Sequence, residues 1–376
     1  MDSRSKVVFG LAELFGGPGG LALGAKTARV LNGNTEYVVE PVWANDIHND
    51  SCKTYVRNIH PNNPDAVVCC PVQDLKMQQI PEVDVVGFGF PCNDFSVVGE
   101  QKGVNGEYGS LYTYGVKVIK AKNPKWFIAE NVTGIQSANS GTVFLKILND
   151  LRESGIGYNI TAHLYKFEEY GIPQYRHRIV IVGIRRDLNL QYRVPKPTTP
   201  TKYISARHAL EVPPIPKNAL NNELTKQSKS VIERLKFIPP GQNAWYEGIP
   251  KELRLNVKRA KLSQIYRRLD PNKPAYTITG SGGGGTHGYH WRENRALTNR
   301  ERARLQTFPD DFYFEGSKES VRRQIGMAVP PKAAKTIIEA VLKTFAGIDY
   351  EWVEAKLSNG RNVRQIKLPN FLNNHN

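Results

Sequence analysis

Short apolar runs alternate with segments of helical period from Lys6 to about Arg186. Val7–Phe15, Tyr37–Ala44, Val83–Phe88, Trp126–Ala129 and Ile179–Ile184 read as strands, and Leu21–Leu31, Ser110–Ala121 and Val143–Glu153 as helices. Strands alternating with helices predict βαβ units and a mostly parallel sheet covered on both faces. The pattern loosens after Val194-Pro195-Lys196-Pro197-Thr198-Thr199-Pro200, which reads as a boundary. Gly280-Ser281-Gly282-Gly283-Gly284-Gly285 reads as a flexible loop. Lys332–Phe345 regains an amphipathic helical period and is expected to return to the first domain. The chain has no internal repeat.

Composition narrows the class. The 376 residues are 40% hydrophobic and 23% charged, which argues against wholesale disorder, a collagen-like fibre or a disulfide-stapled miniature. The length suggests two domains, or one large domain carrying an insertion. The net charge is +16, and it is segregated. Arg185–Arg304 holds 24 Lys and Arg against 9 Asp and Glu, while the remainder is nearly balanced at 27 against 26. A solvated surface explains a single charge run, but an excess confined to one third of the chain favours a nucleic-acid partner. Cys52, Cys69, Cys70 and Cys92 form no CxxC pair and no zinc-type spacing, so no metal is expected. Met1–Lys6 has no apolar stretch, and no run approaches the ~20 residues that span a bilayer. The expectation is a cytoplasmic protein with reduced thiols and no membrane contact.

Four motifs carry candidate chemistry. The first strand ends in Phe15-Gly16-Gly17-Pro18-Gly19-Gly20-Leu21-Ala22, and Gly17–Ala22 fits GxGxxA, a turn that lets a nucleoside-bearing cofactor approach the backbone. An ordinary glycine turn is the alternative. Asp46 follows the second strand, where a carboxylate can reach a ribose diol or merely cap a helix. A buried strand then runs into Phe90-Pro91-Cys92-Asn93, which makes Cys92 a nucleophile candidate or one more core thiol. Gly99, Gly103, Gly106 and Gly109 beyond it suggest a mobile lid. A further strand delivers Glu130-Asn131-Val132, with Glu130 either a cap or a catalytic carboxyl group. Gln174-Tyr175-Arg176-His177-Arg178 opens the last strand with two guanidiniums at i and i+2, suited to an anion or carbonyl, or to a surface ion pair.

In this order and spacing, the four motifs resemble those of the cytosine-5 DNA methyltransferases of prokaryotic, restriction-modification type. The resemblance runs from about Val7 to Phe345. Arg295-Ala296-Leu297-Thr298 through Arg304-Leu305-Gln306-Thr307-Phe308-Pro309 is similar to the family's penultimate motif, and Gln324-Ile325-Gly326-Met327-Ala328-Val329-Pro330-Pro331 to its last. Three positions depart: Asn93 stands where the family usually has Gln, Met327 where it has Asn, and Pro71 where an Asp often contacts adenine. That last contact would then fall to a backbone carbonyl or to Asp74.

The resemblance implies an α/β fold. A Rossmann-like, S-adenosyl-L-methionine (AdoMet)-dependent sheet would fill 1–186, a smaller basic target recognition domain 187–294, the return to the catalytic domain 295–350 and a tail 351–376. It implies that Cys92 adds to carbon 6 of a flipped cytosine, making carbon 5 an enamine-like nucleophile. Glu130, carrying or sharing a proton, would hold N3 and the exocyclic amine. Arg178 would bind O2, and Arg176 would complete the catalytic set by orienting its neighbours. Cofactor contacts are implied at Phe15, Gly17, Gly19, Gly20, Leu21, Asp46, Ile47, Val72, Pro91, Leu111 and Ala328. The implied partner is double-stranded DNA, with a cognate restriction endonuclease as functional counterpart, and the enzyme is expected to be a stand-alone bacterial or phage-type monomer. Two rival readings are an RNA cytosine-5 methyltransferase and a catalytically silent DNA-binding protein. The basic insertion favours DNA over RNA. The presence of both Cys92 and Glu130 favours an active enzyme.

Overall fold

A computed structural model describes residues 5–90, 111–137, 141–256, 262–282 and 285–357. Its described strands are β1 (Ser5–Leu14), β2 (Arg29–Asn32), β3 (Thr35–Asp46), β4 (Val67–Cys69), β5 (Val85–Gly89), β6 (Trp126–Val132), β7 (Tyr158–Lys166), β8 (His177–Arg185), β9 (Val194–Pro195) and β10 (Trp352–Val353). The helices are α1 (Gly20–Thr27), α2 (Asn49–Ile59), α3 (Tyr112–Lys122), α4 (Thr142–Arg152), α5 (Ala206–Glu211), α6 (Lys229–Lys236), α7 (Asn299–Leu305), α8 (Lys318–Met327) and α9 (Pro331–Phe345).

Eight strands form one sheet in the order β2-β3-β1-β5-β6-β8-β7, with β4 also paired to β3. The expected parallel arrangement holds for β4, β3, β1, β5 and β6, whereas β8 pairs antiparallel with both β6 and β7 on one side and β2 antiparallel with β3 on the other. Alternate residues face opposite layers, as a strand's two-residue period requires. Phe9, Leu11, Val85, Ile128 and Val180 pack with α1 and α9, while Ala12, Leu14, Val86, Phe88, Phe127 and Ile181 pack with α3 and α4. Both faces are therefore dry, and the functional groups must emerge at strand ends.

The helix expected over Leu21–Leu31 stops at Thr27, and Arg29–Asn32 instead pairs with β3. Asn32 and Thr35 face each other across Gly33-Asn34, and Gly33 has φ +55°. This two-residue hairpin with a Gly-Asn loop outweighs the helical period. The predicted return helix is present as α9. It lies so close to α1 that a Cβ on Gly24 would sit 2.5 Å from Ala334 Cβ.

The predicted boundary at 187 falls before the chain leaves the catalytic core. Tyr192 and Val194 are buried with the α9 layer, and β9 pairs with β10. The start of the expected tail is likewise packed: Leu357 is buried, and its amide donates to Ala162 O. Within the basic region, Leu235, Ile238, Ala244, Ile249, Tyr266, Tyr289 and Ala296 form a small separate core. Not all of the excess charge faces outward. Arg268 is buried and donates to the carbonyls of Leu235, Ile238, His290 and Glu293. Arg300, also buried, donates to those of Leu220, Pro309 and Phe312. These guanidiniums serve as internal struts for irregular backbone, so a count of basic residues overstates the surface offered to DNA.

Candidate active site

The strand ends of β1, β3, β5 and β6 meet α1 and α8 around a cavity of about 300 Å³, at the lower end of the range for small-molecule sites. Phe15, Gly16, Gly17, Pro18, Gly20 and Leu21 line it from the turn after β1. Phe15 itself has φ +54°, Gly17 φ +53° and Gly19 φ +90°, so every second residue of the turn is in left-handed backbone. A Cβ on Gly17 would meet nothing within 4 Å, whereas one on Gly20 would lie 2.2 Å from Val329 O. Gly17 therefore leaves room for a ligand, and Gly20 allows the last motif to close against α1. Gly20→Ala is expected to destabilise the fold by about 1–3 kcal/mol and to weaken cofactor binding, read by chemical denaturation and AdoMet titration.

Asp46 ends β3 and accepts from Gly17 N at 2.9 Å and His48 N at 2.8 Å, one hydrogen bond on each carboxylate oxygen. A carboxylate offers about four lone-pair sites, so two remain for a vicinal diol. Burial raises its pKa, while the two N–H donors oppose that rise. Ile47 is exposed beside it, and Ala328 and Met327 form the facing wall. A nucleoside-bearing methyl donor fits these residues: open space over a glycine, a carboxylate with two unused acceptor sites, and apolar walls.

The same cavity is also lined by Glu130, Arg176 and Arg178. Glu130 lies near the end of β6, opposite Val180 of β8, and its Oε1 pairs with Arg178 Nε at 2.8 Å. Both side chains are largely shielded from water, which strengthens the pair relative to a surface one. Asn131 fixes the loop beneath, donating to Phe90 O and accepting from Val132 N. Arg176 turns inward and is almost wholly buried. It donates to Ile278 O at 3.1 Å, Gly326 O at 3.0 Å and Ala328 O at 3.0 Å. Burial, with Arg178 alongside, depresses its pKa. It ties the irregular segment at Ile278, just before Gly280, to the cavity wall at Gly326 and Ala328. Gln174 continues that tie: its Oε1 accepts from Ile278 N, and its Nε2 reaches Leu305 O and Gln306.

Gly19 caps α1 without lining the cavity, and Val72 and Leu111 are buried in the core packed against α3 and α4. The structure does not bring these three into the wall. Cys92, Pro91 and the glycines of the expected lid lie outside the described residues. Sequence reasoning missed Glu13, His48, Ser51, Arg323 and Gln324, all of which line the cavity. A GxGxxA turn marks the loop but not the strand residue beneath it. Gln324 opens the recognised last motif and Arg323 immediately precedes it, and that adjacency was the available signal.

A Rossmann-like sheet with a glycine turn, a strand-end carboxylate and a carboxylate–guanidinium pair in one cavity fits an AdoMet-dependent methyltransferase. Comparison with known proteins resolves the class further. The profile of the C-5 cytosine-specific DNA methylases matches residues 9–343. The Type II methyltransferase M.BbvI of Brevibacillus brevis is 59% identical over 355 residues, which cover 93% of this chain and 94% of that protein. M.NgoFVII of Neisseria gonorrhoeae, also a Type II methyltransferase, is 41% identical over 92% of this chain and 89% of its own length. A solved structure of a DNA modification methyltransferase encoded within an E. coli prophage shares the fold, with a TM-score of 0.64 at 24% identity, over 90% of this chain and 99% of that one. The chain belongs to the C-5 cytosine-specific DNA methylase family, and it transfers a methyl group from AdoMet to carbon 5 of cytosine in DNA. No helix among the described residues is long and apolar enough to cross a membrane.

Proposed function

We propose that the enzyme is the sequence-specific methyltransferase of a Type II restriction-modification system, in which Cys92, Glu130 and Arg178 activate the target base. The observation that carries this reading is the continuity of one cavity from Asp46 and the Gly17 turn to the Glu130–Arg178 pair. When bound, AdoMet would supply an electrophilic methyl group.

The residues account for the rest of the reaction. The Cys92 thiolate adds to carbon 6 of the extrahelical cytosine, and the displaced ring electrons make carbon 5 nucleophilic. Glu130 donates to N3 and accepts from the exocyclic amine, which favours electron flow into the ring. Arg178 uses its Nε on Glu130 and its Nη1 on the His177 carbonyl, which leaves Nη2 to stabilise charge at O2. Arg176 holds the surrounding backbone and touches no reacting atom. After the carbon 5 proton is lost, elimination of Cys92 releases 5-methylcytosine and restores the thiolate. The residues assigned to the cofactor are Phe15, Gly17, Gly20, Leu21, Asp46, Ile47 and Ala328 from the cavity wall, together with Pro91.

The basic region from 187 to 294 reads duplex DNA, a restriction endonuclease of the same specificity is the functional counterpart, and the enzyme acts as a monomer in the bacterial cytoplasm. Incubation with unmethylated plasmid and with tRNA, followed by bisulfite sequencing of both, tests the reading. The expected result is 5-methylcytosine in a single recurring duplex context. Methylation confined to tRNA, or scattered over every cytosine context, would overturn it.

A further inference from the structure

Three of the four cysteines stand together behind the wall that carries Asp46 and Ile47. Cys69 ends β4 and is exposed, while Cys52 lies in the first turn of α2 and is buried. In the parallel pairing of β3 with β4, Cys69 is the register partner of Asp46. Cys52 Sγ donates to Asp46 O at 3.4 Å, and Cys69 Sγ donates to Ile47 O at 3.9 Å. The two sulfurs thus reach successive carbonyls of one strand end, and they also lie within hydrogen-bonding reach of each other. Cys70 has a different partner: its sulfur accepts from Asn45 Nδ2 at 3.8 Å. A two-electron oxidant converts an exposed thiol backed by a second thiol to a disulfide, because the second sulfur traps the first oxidation product. Burial pushes the Cys52 thiol up, so Cys69 is the sulfur that meets the oxidant and Cys52 the one that resolves it.

We propose that Cys52 and Cys69 form an oxidation site, which a hydroperoxide closes to a disulfide and which thereby deforms the strand end presenting Asp46 and Ile47. The consequence for the cofactor rests on the reading of this cavity as its site. With hydrogen peroxide, the Cys69 sulfur attacks one oxygen, the O–O bond breaks, and the other oxygen leaves as water. Cys69 is then a sulfenic acid. The Cys52 sulfur attacks it, the S–O bond breaks, and the hydroxyl leaves with the Cys52 proton as a second water. Two electrons have passed from the thiols to the peroxide. An S–S bond of about 2.05 Å is far shorter than any thiol–thiol hydrogen bond, so its formation draws the first turn of α2 toward β4. Both carbonyls lose their S–H donors. His48 caps the same turn: its amide donates to Asp46 Oδ1, and its carbonyl accepts from Cys52 N. Movement at Cys52 therefore passes to the carboxylate assigned to the cofactor.

The test uses the full-length protein carrying Cys92→Ala, so that oxidation of the nucleophile does not mimic the effect. Hydrogen peroxide should remove two hydrogens from the intact mass, and non-reducing peptide mapping should join Cys52 to Cys69. AdoMet affinity, measured by isothermal titration, should fall by about three- to tenfold, the cost of one weakened hydrogen bond. Dithiothreitol should restore it. Cys69→Ser, a substitution at an exposed position, should abolish both the cross-link and the loss of affinity. Cys70→Ser should change neither. A disulfide to Cys70, oxidation of Cys69 to its sulfinic acid alone, or a full response in Cys69→Ser would overturn the proposal. So would a Cys52–Cys69 cross-link that leaves AdoMet affinity unchanged. The cavity reading has a separate test in the reduced protein. Asp46→Asn should weaken AdoMet binding, and unchanged binding would reject the cofactor site itself, whatever the thiols do.

Discussion

Cys92→Ala will lose methyl transfer by at least about three orders of magnitude while binding AdoMet and duplex DNA about as well as the native enzyme. In the proposed mechanism the thiolate performs the one step no other side chain can replace: it converts an unreactive aromatic carbon into an enamine terminus. The check combines methyl incorporation with a trapping experiment on duplex containing 5-fluorocytosine. Fluorine at carbon 5 leaves no proton to remove, so the native enzyme should remain covalently attached in the presence of AdoMet, as a band that survives denaturing electrophoresis. The alanine variant should give no such band. Full turnover by Cys92→Ala would eliminate the covalent mechanism.

Glu130→Ala should reduce kcat by about two to four orders of magnitude, the usual range for loss of a positioned acid–base group. The side chain contributes in two ways. In the proposed mechanism it binds the ring edge at N3 and the amine, and in the structure it anchors Arg178 through the 2.8 Å contact to Nε. Removing it leaves a shielded guanidinium without its partner, so some loss of stability accompanies the loss of rate. Glu130→Gln separates the two effects. The amide keeps the shape and can still hydrogen-bond but supplies no acidic proton, so most of the kcat loss should persist with the fold intact. A kcat within threefold of native in both variants, measured by single-turnover methylation, would remove Glu130 from the mechanism.

The parts of the site that were legible in the sequence are those written into short, contiguous chemistry. Phe15–Leu21 announces a close-approach turn through its glycines, and Asp46, Glu130 and Arg178 stand at or beside the ends of strands whose apolar runs mark them plainly. Distant pairings were not legible. Glu13 reads as one more strand position until Tyr55, 42 residues away, closes over it. Arg176 looked like a partner for Arg178 on an open face. Its carbonyl acceptors lie 102 to 152 residues further along, so its inward turn could not be read from a two-residue period. The sheet shows the same division. The buried parallel strands follow from their apolar runs, whereas β2 and β7 had no such continuous run and were not anticipated.

The internal struts have a consequence for handling the protein. Contacts between DNA phosphates and exposed lysines give way as ionic strength rises, because each one displaces condensed counterions that salt restores. The bonds from Arg268 and Arg300 to main-chain carbonyls are shielded and involve no opposing ion, so dissolved salt screens them little. Concentrated sodium chloride should thus strip the enzyme from its substrate without loosening its architecture, and returning to dilute buffer should restore binding with no refolding step.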